Sequence, residues 1–253
     1  MEDYLNKVKV ERILSWGKDY DAEKLTEMIQ RRIRIEKIAI KDVKMRTFIT
    51  EDASRNEMVQ HVYDITYGTV RPGQDTLVVI DDSIVRGTTL KESIIRMLAR
   101  LKPKRIVVVS SSPQIRYPDC YGIDMSKMGD FIAFNAAVEL AKEKGKEYCL
   151  KELHDKCKEL HRANQLHTEN VVKQLYKMFT TEEISAKIAK LITPAGLDIP
   201  VDVIFQSIEN LHKSCPNNLG DWYFTGNYPT PGGNKVVNKA FMNYMEGKNV
   251  RGY

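Results

Sequence analysis

The sequence predicts an α/β fold: a parallel sheet flanked by helices, with helical additions towards the C-terminal end. Leu77-Val78-Val79-Ile80 and Ile106-Val107-Val108-Val109 are continuous apolar runs, the pattern of strands covered on both faces in a parallel sheet. Between them, Leu90 to Leu101 has the period of an amphipathic helix, with Ile94, Ile95, Leu98 and Leu101 on its inner face. A strand-helix pair returns late, with Val201 to Gln206 as strand and Ser207 to His212 as helix. The first strand-helix-strand unit is expected to cross over right-handedly.

Length and composition bound the functional classes. A chain of 253 residues with 42% hydrophobic content can form one large domain or two small ones. No window approaches the length of a transmembrane span, and Met1-Glu2-Asp3-Tyr4 has no signal-peptide character. Cys120, Cys149, Cys157 and Cys215 are irregularly spaced and read as reduced thiols of a cytoplasmic protein. The net charge of +5 favours a small anionic substrate. Lys and Arg alternate with Asp and Glu, so neither nucleic acid nor a membrane is an expected partner.

The remaining elements follow in order. Residues 1–36 read as helical: Leu5, Val8, Ile13 and Leu14 precede Trp16-Gly17, and Leu25, Met28, Ile29 and Ile33 have the period of one buried face. Ile35 to Met45 reads as a helix end and a strand. Arg71 to Asp75 is a turn that delivers the chain to the central strand. Lys102-Pro103-Lys104 ends the next helix. Residues 139–167 are highly charged, with only Leu140, Leu150, Leu153 and Leu160 as an apolar stripe, and read as a solvated helical excursion. His154, Cys157 and His161 share one face there, with Cys149 near, but ligands on a single helix cannot surround a tetrahedral ion. Thr181-Glu182-Glu183 opens a capped helix through Ile184, Ile188, Leu191 and Ile192, and Pro194-Ala195-Gly196 stops it.

The chemistry concentrates after Leu77–Ile80. Asp81 and Asp82 sit at the carboxyl end of that strand, where open α/β sheets place their ligands. Alternate strand residues point to opposite sides, so one carboxylate is expected to reach a hydrated divalent cation and the other a sugar diol. Ser83 to Thr89 supply hydroxyls and, around Gly87, backbone N–H groups that can converge on an anion at the start of the next helix. A ribose phosphate requires both features together. An ordinary strand-turn-helix with an Asp and Ser/Thr cap is the plainer alternative.

The run Asp81-Asp82-Ser83-Ile84-Val85-Arg86-Gly87-Thr88-Thr89 resembles the phosphoribosyl pyrophosphate (PRPP) motif of type I phosphoribosyltransferases, and specifically that of amidophosphoribosyltransferases. Arg46-Thr47-Phe48-Ile49 resembles the opening of that family's mobile loop, which closes over PRPP and excludes water. The loop departs from the family in its early Glu51 and Asp52, and only Arg55 and His61 supply positive charge. Pro113-Gln114-Ile115-Arg116-Tyr117-Pro118 and Tyr121-Gly122-Ile123-Asp124-Met125 resemble the same branch; Tyr121, Ile123 and Met125 either wall the ribose or belong to a rigid packed loop. Trp222 to Thr230 is similar to the family's closing region.

The resemblance implies a type I phosphoribosyltransferase core that converts PRPP and glutamine-derived ammonia to 5-phosphoribosylamine and pyrophosphate with Mg²⁺, in purine nucleotide synthesis. It implies Asp81 and Asp82 as metal and ribose ligands, Ser83, Val85, Arg86, Gly87, Thr88 and Thr89 around the 5-phosphate, and Arg46 with the two aspartates as catalytic residues. Some members hold an iron-sulfur cluster, but the matching places here are Asp119, Gly220 and Tyr223, with Cys120 and Cys215 out of register, so no cluster is expected. The family's glutaminase part begins on a cysteine nucleophile; residue 2 here is Glu, and that part is expected from a longer protein or another chain. The pyrophosphate-binding loop is expected before Met1, and the full-length protein is expected to form a homo-oligomer. The expected division is 1–134 as an N-terminally incomplete core, 135–180 as a helical insertion, and 181–253 as the strand-helix and tail completing the transferase. A salvage phosphoribosyltransferase acting on a nucleobase and a non-catalytic PRPP-binding module are the alternatives.

Overall fold

The computed structural model describes residues 2–17, 21–41, 63–121, 125–218 and 220–252. The chain divides into two units, residues 1–43 with 63–69, and residues 70–253 with 44–62.

In the first unit, helix α1 (Glu2–Ser15) meets helix α2 (Ala22–Gln30), and Lys9 donates from Nζ to the carbonyl of Ile29 at 3.1 Å. Asp21 caps α2, accepting from the N–H of Lys24 at 2.7 Å. The helix ends at Gln30, earlier than the expected 36, because Arg31 leaves helical geometry with ψ at 127° and Arg32-Ile33-Arg34-Ile35 alternates with period two. The expected buried face does not form: no residue of α2 is buried, and Leu14 and Ile29 are 73% and 53% exposed. Two short, strongly charged helices offer each other too little apolar surface. Strand β1 (Ala39–Lys41) pairs antiparallel with β2 (Tyr63–Ile65).

The second unit is built on a three-stranded parallel sheet, β3 (Thr76–Asp81), β4 (Arg105–Ser110) and β5 (Val201–Phe205), in sequence order. Its register aligns Leu77 with Ile106 and Val201, and Ile80 with Val109 and Ile204. One face carries the buried Leu77, Ile106, Val108 and Val203. The other leaves Val78, Ile80 and Ile204 between 54% and 61% exposed. The expectation of a central strand covered on both faces is therefore overturned. Among the described residues β3 lies at the edge of the sheet, and helices bury only the face of Leu77, Ile106, Val108 and Val203.

A π-helical turn (Leu90–Ile94) continues into α3 (Ile95–Ala99) and links β3 to β4, with Ile95, Leu98 and Leu101 buried as expected. After β4 come a short 3-10 turn (Met128–Asp130), α4 (Ile132–Glu143), α5 (Tyr148–Arg162), α6 (Lys173–Tyr176) and α7 (Thr181–Ile192). Helix α4 packs on α7, and α7 on β5. The N-terminus of α7 is a full capping box: Thr180 Oγ1 accepts from Glu183 N–H, and the Glu183 carboxylate accepts from Thr180 N–H. The expected division after residue 134 falls inside α4.

Helix α5 is not solvated all round. It buries Leu150, Leu153, His154 and Cys157 and packs on α10 (Pro231–Met245), because its few apolar residues share one stripe. Buried His154 lies edge-on to Phe241, with Nε2 3.6 Å from Glu246. Among the described residues no group of three or more His, Cys, Asp or Glu could hold a metal. Two short helices, α8 (Ile208–Ser214) and α9 (Trp222–Thr225), precede α10. No helix among the described residues is long and apolar enough to cross a membrane.

Candidate functional site

The loop after β3 is shaped first by its own side chains. Asp81 accepts from the N–H of Asp82 at 3.0 Å, and Asp82 from the N–H of Ser83 at 2.7 Å. Ile84 and Leu90, 2% and 3% exposed, anchor the loop at both ends. Between them, the carbonyl of Val85 accepts from Ile132 at 2.7 Å, and that of Gly87 from Lys91 at 3.0 Å. Gly87 has a positive φ of 71°, and a Cβ there would stand 2.8 Å from Ile192 Cγ2. Glycine is therefore required twice, by conformation and by the close approach of α7.

The loop forms one wall of a cavity of about 720 Å³. Asp81, Ser83, Val85, Arg86, Gly87, Thr88 and Thr89 all line it, with Glu92 and Ser93 from the π-helical turn and Lys127, Asp130 and Asn249 opposite in sequence. Asp82, expected beside Asp81 as a PRPP and metal ligand, is exposed and does not line it. Burial pushes the Asp81 carboxyl above its usual range; the Asp82 carboxylate adds to this and the Asp82 N–H opposes it. Arg86 Nη2 lies 3.1 Å from Asp130 Oδ2.

Lys127, Asp130 and Asn249 were missed by reasoning from the sequence. Lys127 and Asp130 follow the Tyr121–Met125 stretch closely, so proximity to it was an available signal. Asn249 carries no local signal, because its place depends on the C-terminal strap. The strap is pinned by Lys248 N–H donating to the carbonyl of Asn243 at 2.8 Å and by Asn243 Nδ2 donating to the carbonyl of Arg251 at 2.9 Å. A Cβ on Gly252 would stand 2.5 Å from the carbonyl oxygen of Val236.

Arg46 and the rest of the 46–49 stretch lie outside the described residues, as do Gly122, Ile123 and Asp124. Of the two readings for residues 112–125, the packed loop describes residues 113–118. Gln114, Ile115 and Tyr117 are buried, and Arg116 donates to Gln114 Oε1 at 2.7 and 3.0 Å and lies over the Tyr176 ring. The Arg116 and Tyr117 N–H groups donate to the carbonyl of Tyr223, and Tyr228 donates from its hydroxyl to the carbonyl of Pro118 at 2.6 Å. Tyr121 is 66% exposed beside Trp222, and neither it nor Met125 lines the cavity.

No family model matches the chain. An amidophosphoribosyltransferase of Pasteurella multocida is 46% identical over 67 residues, 26% of this chain and 13% of the relative. Over part of its length the chain is similar to amidophosphoribosyltransferases. The amidophosphoribosyltransferase of Staphylococcus epidermidis is 37% identical over 94 residues, 37% of this chain and 19% of its own length. That of Saccharomyces cerevisiae is 31% identical over 150 residues, 57% and 25%. The chain thus spans a quarter or less of the length of these amidophosphoribosyltransferases. A solved Bacillus subtilis glutamine PRPP amidotransferase, complexed with ADP and GMP, is similar at 26% identity and a TM-score of 0.40, covering 76% of this chain and 32% of that one.

Proposed function

We propose that the chain is the PRPP-binding part of an amidophosphoribosyltransferase of type I phosphoribosyltransferase fold, and that the cavity beyond β3 holds PRPP while ammonia displaces pyrophosphate to give 5-phosphoribosylamine. The observation that supports this best is the lining itself: a carboxylate at the end of a parallel strand, next to a loop of hydroxyls and N–H groups around an obligatory glycine. A sugar diol and a phosphate need these two surfaces side by side.

In this reading Asp81 takes the ribose hydroxyls, and Ser83, Thr88, Thr89 and the N–H groups near Gly87 take the 5-phosphate. Charge develops at the anomeric carbon and on the leaving oxygens, so fixed dipoles and positioning supply the rate without a covalent nucleophile. Mg²⁺ takes one or two carboxylates and completes its shell from substrate oxygens and water, and the carboxylate of Asp81 lines the cavity. Asp81 would hold the ion, which would supply neutralisation of the leaving pyrophosphate. In this reading the ammonia derives from glutamine, and the product enters purine nucleotide synthesis.

Pyrophosphate release from Mg²⁺·PRPP, measured with and without ammonium chloride, tests the reading. The expected result is release that depends on ammonium and is lost in Asp81→Asn. Release that needs a nucleobase instead points to the salvage reaction, and binding without release under either condition points to a non-catalytic PRPP-binding module.

A further inference from the structure

The geometry points to Lys127 as a further substrate-binding residue of this cavity, its ammonium taking an anionic phosphate oxygen, with the amide of Asn249 as a neutral partner. The inference rests on the phosphoribosyl reading of the cavity and names the cation that reading lacks.

The charges lining the cavity are nearly all committed. Arg86 is paired with Asp130 at 3.1 Å, and Glu92 with Arg96 at 3.5 Å. Asp81 is the carboxylate assigned to diol and metal. Among the described residues Lys127 has no ion-pair partner, and it lines both this cavity and a neighbouring one of about 250 Å³ lined in part by the C-terminal strap. A ribose bearing a phosphate and a diphosphate brings several negative charges, and the loop's hydroxyls and N–H groups are neutral donors. A full cation with no competing carboxylate is what such a ligand lacks elsewhere in the lining.

The backbone of Lys127 is fixed, while its half-buried side chain makes no ion pair among the described residues. Ser126 and Met128, on either side, are 5% and 1% exposed, and the Lys127 carbonyl accepts from Asp130 N–H at 3.1 Å. The residue is extended and leads directly into the Met128–Asp130 turn, whose next residue, Phe131, is fully buried. A long flexible amine on an immobile base suits an oxygen whose position changes as pyrophosphate departs.

The test is equilibrium dialysis of Mg²⁺·PRPP against wild type, Lys127→Gln, Lys127→Arg and Asp81→Asn, with thermal melts to verify folding. Lys127→Gln is expected to weaken binding about tenfold or more, and Lys127→Arg to stay within about threefold of wild type, because an arginine restores the charge. Wild-type affinity in Lys127→Gln, with binding lost in Asp81→Asn, overturns the inference and leaves the reading of the cavity standing. A folded wild-type chain that takes up no PRPP overturns both.

Discussion

The backbone N–H of Ile132 donates to the carbonyl of Val85 at 2.7 Å, so the first turn of α4 is bonded to the loop after β3. With Ile192 packed under Gly87, this makes the shape of the candidate phosphate loop a property of two later helices. The loop is held from beneath, and Ser83, Gly87, Thr88 and Thr89 line the cavity.

Replacing Gly87 should therefore damage both stability and binding. Gly87→Val places a branched side chain at a positive φ and against Ile192. Strain and overpacking together are expected to cost roughly 2–4 kcal/mol. Urea unfolding measures this directly, and a loss under about 0.5 kcal/mol would contradict the buttressed loop.

Asp81 should show a conflict between stability and binding. Its carboxyl is raised by burial, so the native state favours the protonated acid. That contribution is present in full below the unfolded value of about 3.9 and is lost as pH rises through the raised folded value. Asp81→Asn should be more stable than wild type at pH 7, with the gap closing in acid. Urea midpoints across the pH range report it; a variant less stable at pH 7 than at pH 3, relative to wild type, would reverse the sign.

Asn238 is a structural counterpart with no place in the cavity. Fully buried, it accepts from Val171 N–H at 3.0 Å and donates to the carbonyls of Leu166 and Glu169 at 2.9 and 2.7 Å. Asn238→Ala leaves three backbone groups without these bonds and should cost about 3 kcal/mol or more. Chemical denaturation checks this value, while PRPP affinity of the folded fraction should be little changed.

The two sheet faces should respond differently to substitution. Ile106 is fully buried and Ile80 is 61% exposed. Ile106→Ala is expected to cost about 2–5 kcal/mol, and Ile80→Thr to stay within about 0.5 kcal/mol. A large loss at Ile80 would show that this face is covered in solution.

Much of the second unit was legible from local pattern. The apolar runs at 77–80 and 106–109, the inner face of Ile95, Leu98 and Leu101, and the capped helix ending before Pro194 form as their periodicity predicts. Burial was less legible. A run such as Leu77–Ile80 shows that a strand can be covered on both faces, whereas coverage depends on where the helices go, and Val78 and Ile80 remain exposed. The charged stretch around α5 misled in the opposite direction, because Leu150, Leu153 and Cys157 suffice to seat one stripe on α10. In the cavity, Asp81 and the stretch from Ser83 to Thr89 come together as neighbours in sequence, whereas Asp82 stays outside the lining. Lys127, Asp130 and Asn249 were not readable, since packing alone brings them to the cavity.

The most direct test of the central claim is a calorimetric titration of Mg²⁺·PRPP into the whole chain, repeated with Asp81→Asn. The account predicts saturable binding at one site per chain, weakened at least tenfold in a variant that melts no lower than wild type at pH 7. Equal affinity in the two proteins would contradict it, because PRPP would then be held somewhere other than the cavity beyond β3.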